Sequence, residues 1–255
     1  MHMSGEWGSG YRELHAVYDR WQGSYGMDYS RRIFPKLVRT LARHRITPST
    51  AVDLGCGTGT MVLMLEREGW DVAGIDASPG MVAEAERKAA GCSSAARFAT
   101  EDIRTFTLPR PVSLAISLYD VLNHLPSVDD AFRACTAVRR ALRPGGFFVF
   151  DLNNDRCYRR LWTREETIGH PDFTMTLANS YDGQERVASS RVQVRFKDGR
   201  EDLDETVLQR CFARKEMKSI LAQAGFEQLE AEEFAFPGAP WAGRLKTWYV
   251  ARVPQ

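Results

Sequence analysis

The sequence predicts an α/β fold, a doubly wound and mostly parallel sheet that carries an antiparallel β insertion late in the chain. Three observations lead there. Between residues 50 and 150, short and nearly continuous apolar runs alternate with amphipathic helical segments, the pattern of strands covered by helices on both faces. A glycine-rich turn, Gly55-Cys56-Gly57-Thr58-Gly59, joins the first of those runs to a helical segment. Between Asn153 and Arg210 the apolar period switches to two, with Asp182-Gly183 and Asp198-Gly199 marking tight turns between the runs.

Taken in order, Leu14, Tyr18 and Trp21 share one helical face, and Ile33, Leu37 and Leu41 share another after the Gly23 to Gly26 interruption, so two helices precede the sheet. Strands are expected at 51–54, 72–75, 95–99, 112–118 and 147–150. Ser78 followed by Pro79 starts the helix after the second strand, Gly91 stops it, and Ser127 with Asp130 forms a capping box for a later one. In the insertion, Phe173, Met175 and Leu177, then Val192, Val194 and Phe196, then 203–208 give three antiparallel strands. A helix carrying Met217, Ile220, Leu221 and Ala224, stopped by Gly225, leads to strands at 226–234 and 246–253. The organisation is therefore an N-terminal helical segment (1–48), an α/β core (49–152), the insertion (153–210) and a C-terminal completion of the core (211–255).

A length of 255 residues suits one large domain with an insertion. Thirty-four basic and 33 acidic residues leave a net charge of +1, which supplies no global attraction for nucleic acid or an anionic membrane. No apolar stretch approaches the ~18 residues of a membrane span. The five cysteines are scattered without CxxC spacing, so neither a disulfide framework nor a metal site is encoded, and a cytoplasmic location is expected.

The glycine turn lies where an open parallel sheet offers its ligand crevice. Asp76 closes the second strand about twenty residues later, where a carboxylate can accept bonds from ribose hydroxyls, and Glu101-Asp102-Ile103 follows the third strand. Thr60 stands where a dinucleotide fingerprint wants Gly or Ala, and no Walker lysine follows. Asp53 would repel a pyrophosphate and welcome an ammonium. A ligand joining adenosine to an amino-acid ammonium fits these residues.

Together with Leu142-Arg143-Pro144-Gly145-Gly146, these motifs resemble the class I S-adenosylmethionine-dependent methyltransferases. The resemblance implies a Rossmann-like, seven-stranded, mostly parallel sheet and S-adenosylmethionine as cofactor. It implies that Asp53, Gly55, Cys56 and Gly57 meet the methionine part, Asp76 the ribose, Ala77 and Met81 the adenine faces, and Asp102 and Ile103 the adenine edge. A closer resemblance, carried by Val17-Tyr18-Asp19, Asp28-Tyr29, Leu118-Tyr119-Asp120-Val121-Leu122-Asn123, Asp151-Leu152-Asn153 and the insertion, is to bacterial glycine N-methyltransferase-like and sugar N-methyltransferase-like enzymes. It implies a small-molecule acceptor methylated on N or O, an N-terminal lid bearing Tyr18, Tyr25 and Tyr29, and Leu118 beside the cofactor. Tyr119, Asn123 and His124 then face the acceptor, with His124 as candidate base. His124 stands where that pattern often has Tyr, and Val207 where it often has His, so the acceptor itself does not carry over.

The alternatives are a non-catalytic cofactor-binding subunit or a protein or RNA methyltransferase. A nucleic-acid enzyme is disfavoured by Ser117-Leu118-Tyr119-Asp120 in place of a DPPY-like tetrad and by the absence of Pro-Cys. Arg156, Arg159, Arg160 and Arg164 open the insertion as a basic cluster, a solvated face or an anion contact. Oligomeric state is not encoded in any motif.

Overall fold

The computed structural model describes residues 7, 11–24, 28–235 and 243–255, so Tyr25 lies outside it. A 3-10 turn at Leu14–Ala16 leads into α1 (Tyr18–Ser24), followed by α2 (Tyr29–Arg43). The first helix thus begins later than the spacing predicts, because the turn sends both Leu14 and Val17 into one apolar cluster. Asp28 caps α2 by accepting from the Arg31 N–H.

The core runs β1 (Thr50–Leu54), α3 (Thr60–Arg67), β2 (Asp71–Asp76), α4 (Pro79–Gly91), β3 (Arg97–Thr100), β4 (Val112–Ser117), a 3-10 turn (Val121–His124), α5 (Val128–Ala141) and β5 (Leu142–Asn153). Ser78 caps α4 and Ser127 caps α5 through their hydroxyls, as their positions predict. All six residues of β4 are buried, which is what a strand covered on both faces requires. After the insertion come α7 (Arg214–Gln223), β10 (Glu227–Ala235) and β11 (Arg244–Arg252). The seven strands of the core order as β10-β11-β5-β4-β1-β2-β3, with β11 antiparallel to both of its neighbours. One apolar cluster fills the side of α5 and α7, another the side of α2 and α3.

The insertion corrects the expectation of three strands. It opens with α6 (Asp155–Leu161) and forms a four-stranded antiparallel sheet, β6 (Glu165–Gly169), β7 (Phe173–Asp182), β8 (Val187–Phe196) and β9 (Leu203–Arg210). β6 was invisible to the period-two pattern because Ile168 is its one large apolar residue. Its acidic start suits an edge strand, where charge discourages further pairing. The arginines of α6 point to solvent, and Arg159 is taken by Asp155 at 2.6 Å. The other face of the sheet carries Phe173, Met175, Leu177, Val192, Val194 and Val207, buried together with Leu14, Val17 and Trp21. Among the described residues no helix is long and apolar enough to cross a membrane.

Candidate active site

Beyond the C-terminal ends of β1, β2 and β4 lies a cavity of about 990 Å³, roofed by the insertion and closed on one side by α1. A volume at the upper end of ligand pockets is enough for a nucleoside-sized cofactor and a second small molecule. Asp53, Gly55, Cys56, Gly57, Asp76, Ala77, Met81, Asp102, Ile103, Leu118, Tyr18, Tyr119 and His124 all line it, so nearly every residue singled out from sequence converges on one space.

The glycines of the turn have different reasons. Gly55 has φ +71, its N–H donates to the Ile75 carbonyl, and an added Cβ would lie 2.5 Å from the Val121 side chain. Protein packing therefore demands it. Gly57 has φ +52, and a Cβ there would meet nothing within 4 Å, so its open side faces the cavity. Its N–H donates to Asp76 Oδ2 at 2.8 Å, while Asp76 Oδ1 accepts from the Ser78 N–H at 2.9 Å. Burial raises the Asp76 carboxyl above its ordinary value, and these backbone N–H groups pull it part of the way back. Asp53 is buried at the end of β1, and burial together with the Asp76 charge pushes it up to about 8. Met81, Ile103 and Leu118 are buried apolar walls. Asp102 is held below the usual carboxylate range chiefly by Arg104, which binds it through Nε and Nη2 and reaches Asp130 on α5.

The N-terminal segment is latched to the glycine turn. Thr58 Oγ1 donates to Asp19 Oδ1 at 2.6 Å, and Lys88 Nζ donates to Asp19 Oδ2 at 2.7 Å and to Thr60 Oγ1 at 2.9 Å. Tyr18, next to this latch, meets the rings of Tyr11 and Trp21 edge-on.

The floor under the insertion is a buried polar network. Asp151 of β5 accepts from the backbone N–H groups of Tyr119 and Asp120, from the Tyr29 hydroxyl, and from Lys246 at 3.2 Å. Those bonds hold Tyr119 and Asp120 at φ +70 and +54, a conformation that costs a non-glycine residue about 1–3 kcal/mol. Lys246, on β11, also binds Asp120 and sits over the rings of Tyr29 and Tyr119, which stack at 4.3 Å. Burial alone would lower the lysine, but Asp120 and Asp151 outweigh it and hold it well above its ordinary value. Burial pushes Asp120 up, and Lys246, His124 and Gln209 together more than reverse that. Gln209 of β9 donates to Asp120 Oδ2 at 2.6 Å and lies 3.1 Å from His124 Nε2, while its carbonyl accepts from the Tyr158 hydroxyl.

Known proteins share this architecture. A family model described as a methyltransferase domain matches residues 51–146. That segment is a methyltransferase domain. A dTDP-3-amino-3,4,6-trideoxy-alpha-D-glucopyranose N,N-dimethyltransferase of Streptomyces venezuelae is 30% identical over 53% of this chain and 55% of its own, so the chain spans about half of that relative. An S-adenosylmethionine-dependent methyltransferase of Clostridium acetobutylicum superposes with a TM-score of 0.79 at 19% identity, covering 96% of this chain and 99% of that one. The amino pentose methyltransferase CalS10 of Micromonospora echinaspora, solved with S-adenosylmethionine bound, gives 0.68 at 23% identity over 92% and 96%. The chain is thus an enzyme carrying a methyltransferase domain, with S-adenosylmethionine as its cofactor.

The methyltransferase departs from its sequence reading at Asn123, expected at the acceptor. Asn123 is fully buried and does not line the cavity; its amide donates to the Arg210 carbonyl at 2.7 Å and accepts from the Asn153 N–H at 2.9 Å. It ties the end of β5 to the end of β9, which explains a polar residue there without a ligand. His124 does line the cavity, but its ring is engaged by Gln209 and by the Leu208 backbone, and burial lowers it below the ordinary histidine value. Lys246, Asp151 and Gln209 were not legible as one network, because β5, β9 and β11 bring them together from distant segments. The cofactor fits the site on two counts: the open face of Gly57 admits its backbone-close approach, and buried Asp53 has no cation beside it among the described residues to favour its charge.

Proposed function

We propose that this methyltransferase methylates a nitrogen of a small-molecule amine. One observation carries the choice of nitrogen: Asp120 lines the cavity and Asp151 lies buried behind it, two carboxylates against one ammonium, Lys246, among the described residues. S-adenosylmethionine supplies an electrophilic methyl on a sulfonium. A nitrogen that takes it becomes cationic, and a buried site with a surplus negative charge stabilises that cation. A hydroxyl must instead shed its proton to a base. His124, lowered by burial and engaged by Gln209 and Leu208, is poorly placed to take it.

In this reading Asp53 receives the cofactor ammonium, Gly55, Cys56 and Gly57 pass along its amino-acid part, and Asp76 accepts from the ribose. Ala77 and Met81 cover the adenine faces, and Asp102 with the Ile103 backbone meets its edge. Leu118 and Tyr18 close the sides. The enclosing roof and the latched α1 favour a small acceptor over a folded macromolecule. The N,N-dimethyltransferase relative from Streptomyces venezuelae agrees in chemistry.

The test is S-adenosylhomocysteine production over matched amines, alcohols, carboxylates and thiols, with mass analysis of the product. Turnover confined to amines is expected. Turnover of alcohols or carboxylates with amines inert overturns the assignment.

A further inference from the structure

The face of the insertion that looks into the cavity is apolar along most of its length. On β8 the inward positions are Ala188, Ser190, Val192 and Val194, and on β7 they are Phe173, Met175, Leu177 and Asn179. Strand register sets Asn179 directly opposite Ser190, beside the apolar pair Leu177 and Val192. Both polar residues line the cavity. Ser190 is 5% exposed, and its hydroxyl has no hydrogen-bond partner among the described residues.

A second such group arrives from another element. Trp21 of α1 belongs to the same buried cluster as Leu177, Val192 and Val207, the apolar neighbours of Ser190 on the sheet. The next residue, Gln22, is 4% exposed and lines the same cavity, and its Nε2 has no partner among the described residues. A hydroxyl and an amide N–H taken out of water without partners weaken the fold. Alanine or valine at 190 would complete the apolar series at no such cost, so these groups make physical sense when a molecule in the cavity completes their bonds.

We infer that Ser190, Asn179 and Gln22 select the acceptor by hydrogen-bonding a neutral oxygen, hydroxyl or carbonyl, carried near its reacting nitrogen. The inference rests on the amine reading and adds which residues recognise the rest of the molecule. A site built to bond an oxygen discriminates strongly against the analogue lacking it, because its own polar groups are then left unpaired.

The test measures kcat/KM for cyclohexylamine, trans-2-aminocyclohexanol and glucosamine, which share a ring amine and differ in hydroxyls. The same measurements are made on Ser190→Val, Asn179→Leu and Gln22→Leu. The wild-type enzyme should prefer a hydroxylated amine by at least about tenfold, and each variant should shrink that preference several-fold with S-adenosylhomocysteine affinity unchanged. Ser190→Val should also keep or raise the melting temperature of the free enzyme, whereas a hydroxyl bonded within the protein would lower it. Equal turnover of all three amines, an unaltered preference in the variants, or turnover of none with cofactor binding intact overturns the inference. A fall in S-adenosylhomocysteine affinity in Gln22→Leu would assign that residue to the cofactor and overturn its place here. Methylation on a hydroxyl of the probes would sink the nitrogen reading; with the preference still lost in Ser190→Val, recognition of an oxygen at Ser190 would hold while its place beside a reacting nitrogen would fall with that reading.

Discussion

Cofactor affinity should depend on pH through Asp53. Its carboxyl is pushed up to about 8 by burial and by the neighbouring Asp76 charge, so in the free enzyme it is mostly protonated at neutral pH. The cofactor's ammonium binds the ionised form, and the proton must leave first. The observed affinity is then reduced by a factor of 1 + 10^(8 − pH), which is about 100-fold at pH 6 and about 10-fold at pH 7, or ~2.7 and ~1.4 kcal/mol. The cofactor's own amine stays protonated below roughly 7.8, so it does not cancel the trend in this window. Titration calorimetry with S-adenosylhomocysteine at pH 6, 6.5, 7 and 7.5 should show affinity rising nearly tenfold per unit. Repeating one pH in buffers of different ionisation enthalpy should reveal about one proton released. Asp53→Asn should bind more weakly at pH 7.5 and show neither effect. The same group acts on stability with the opposite sense. Its folded value lies above that of an unfolded aspartate, so its contribution to the free enzyme is complete below about pH 4 and is lost as pH rises towards 8. A flat affinity between pH 6 and 7.5 with no proton release would refute an ammonium contact at Asp53.

Gly57→Val should abolish S-adenosylhomocysteine binding by filling the open face of the turn, and Asp76→Ala should weaken it by roughly 2–3 kcal/mol as the Gly57 N–H and the ribose both lose their carboxylate; calorimetry reads both. Lys246→Met leaves Asp120 and Asp151 buried without their cation and should cost about 3–5 kcal/mol, read as a fall in the urea midpoint. Asp19→Ala cuts the latch to Thr58 and Lys88 and should speed proteolysis within residues 11–24 with the core unaffected. If His124 is a base, His124→Ala lowers turnover about 10²–10⁴-fold with the fold intact. A loss of melting temperature with an unchanged rate would instead make it a packing residue of the Gln209 network.

What the sequence by itself determined is local. The strand-helix alternation, the caps at Ser78 and Ser127, the turn at Gly55 to Gly59 and the acid at the end of β2 are each set by residues a few positions apart, and the structure places them as their spacing predicts. The doubly wound core was legible for that reason, and so was the convergence of the cofactor candidates on one crevice. Even inside the turn, spacing could not say that Gly55 answers to Val121 and Gly57 to open space, since that depends on what the fold lays against each. The acceptor half was decided only by tertiary structure. Lys246 reads in the sequence as an ordinary strand residue; it becomes a buried counter-ion because β11 enters beside β5, next to Asp151 and the turned-out Asp120. Asn123 reads as a ligand contact and is a tie between β5 and β9. The acidic β6 joins the roof through pairing with β7, and Ser190 faces Asn179 through a register that no local pattern encodes. Local periodicity reports which side of an element is covered, but which polar groups meet under that cover depends on segments more than a hundred residues apart arriving at one place.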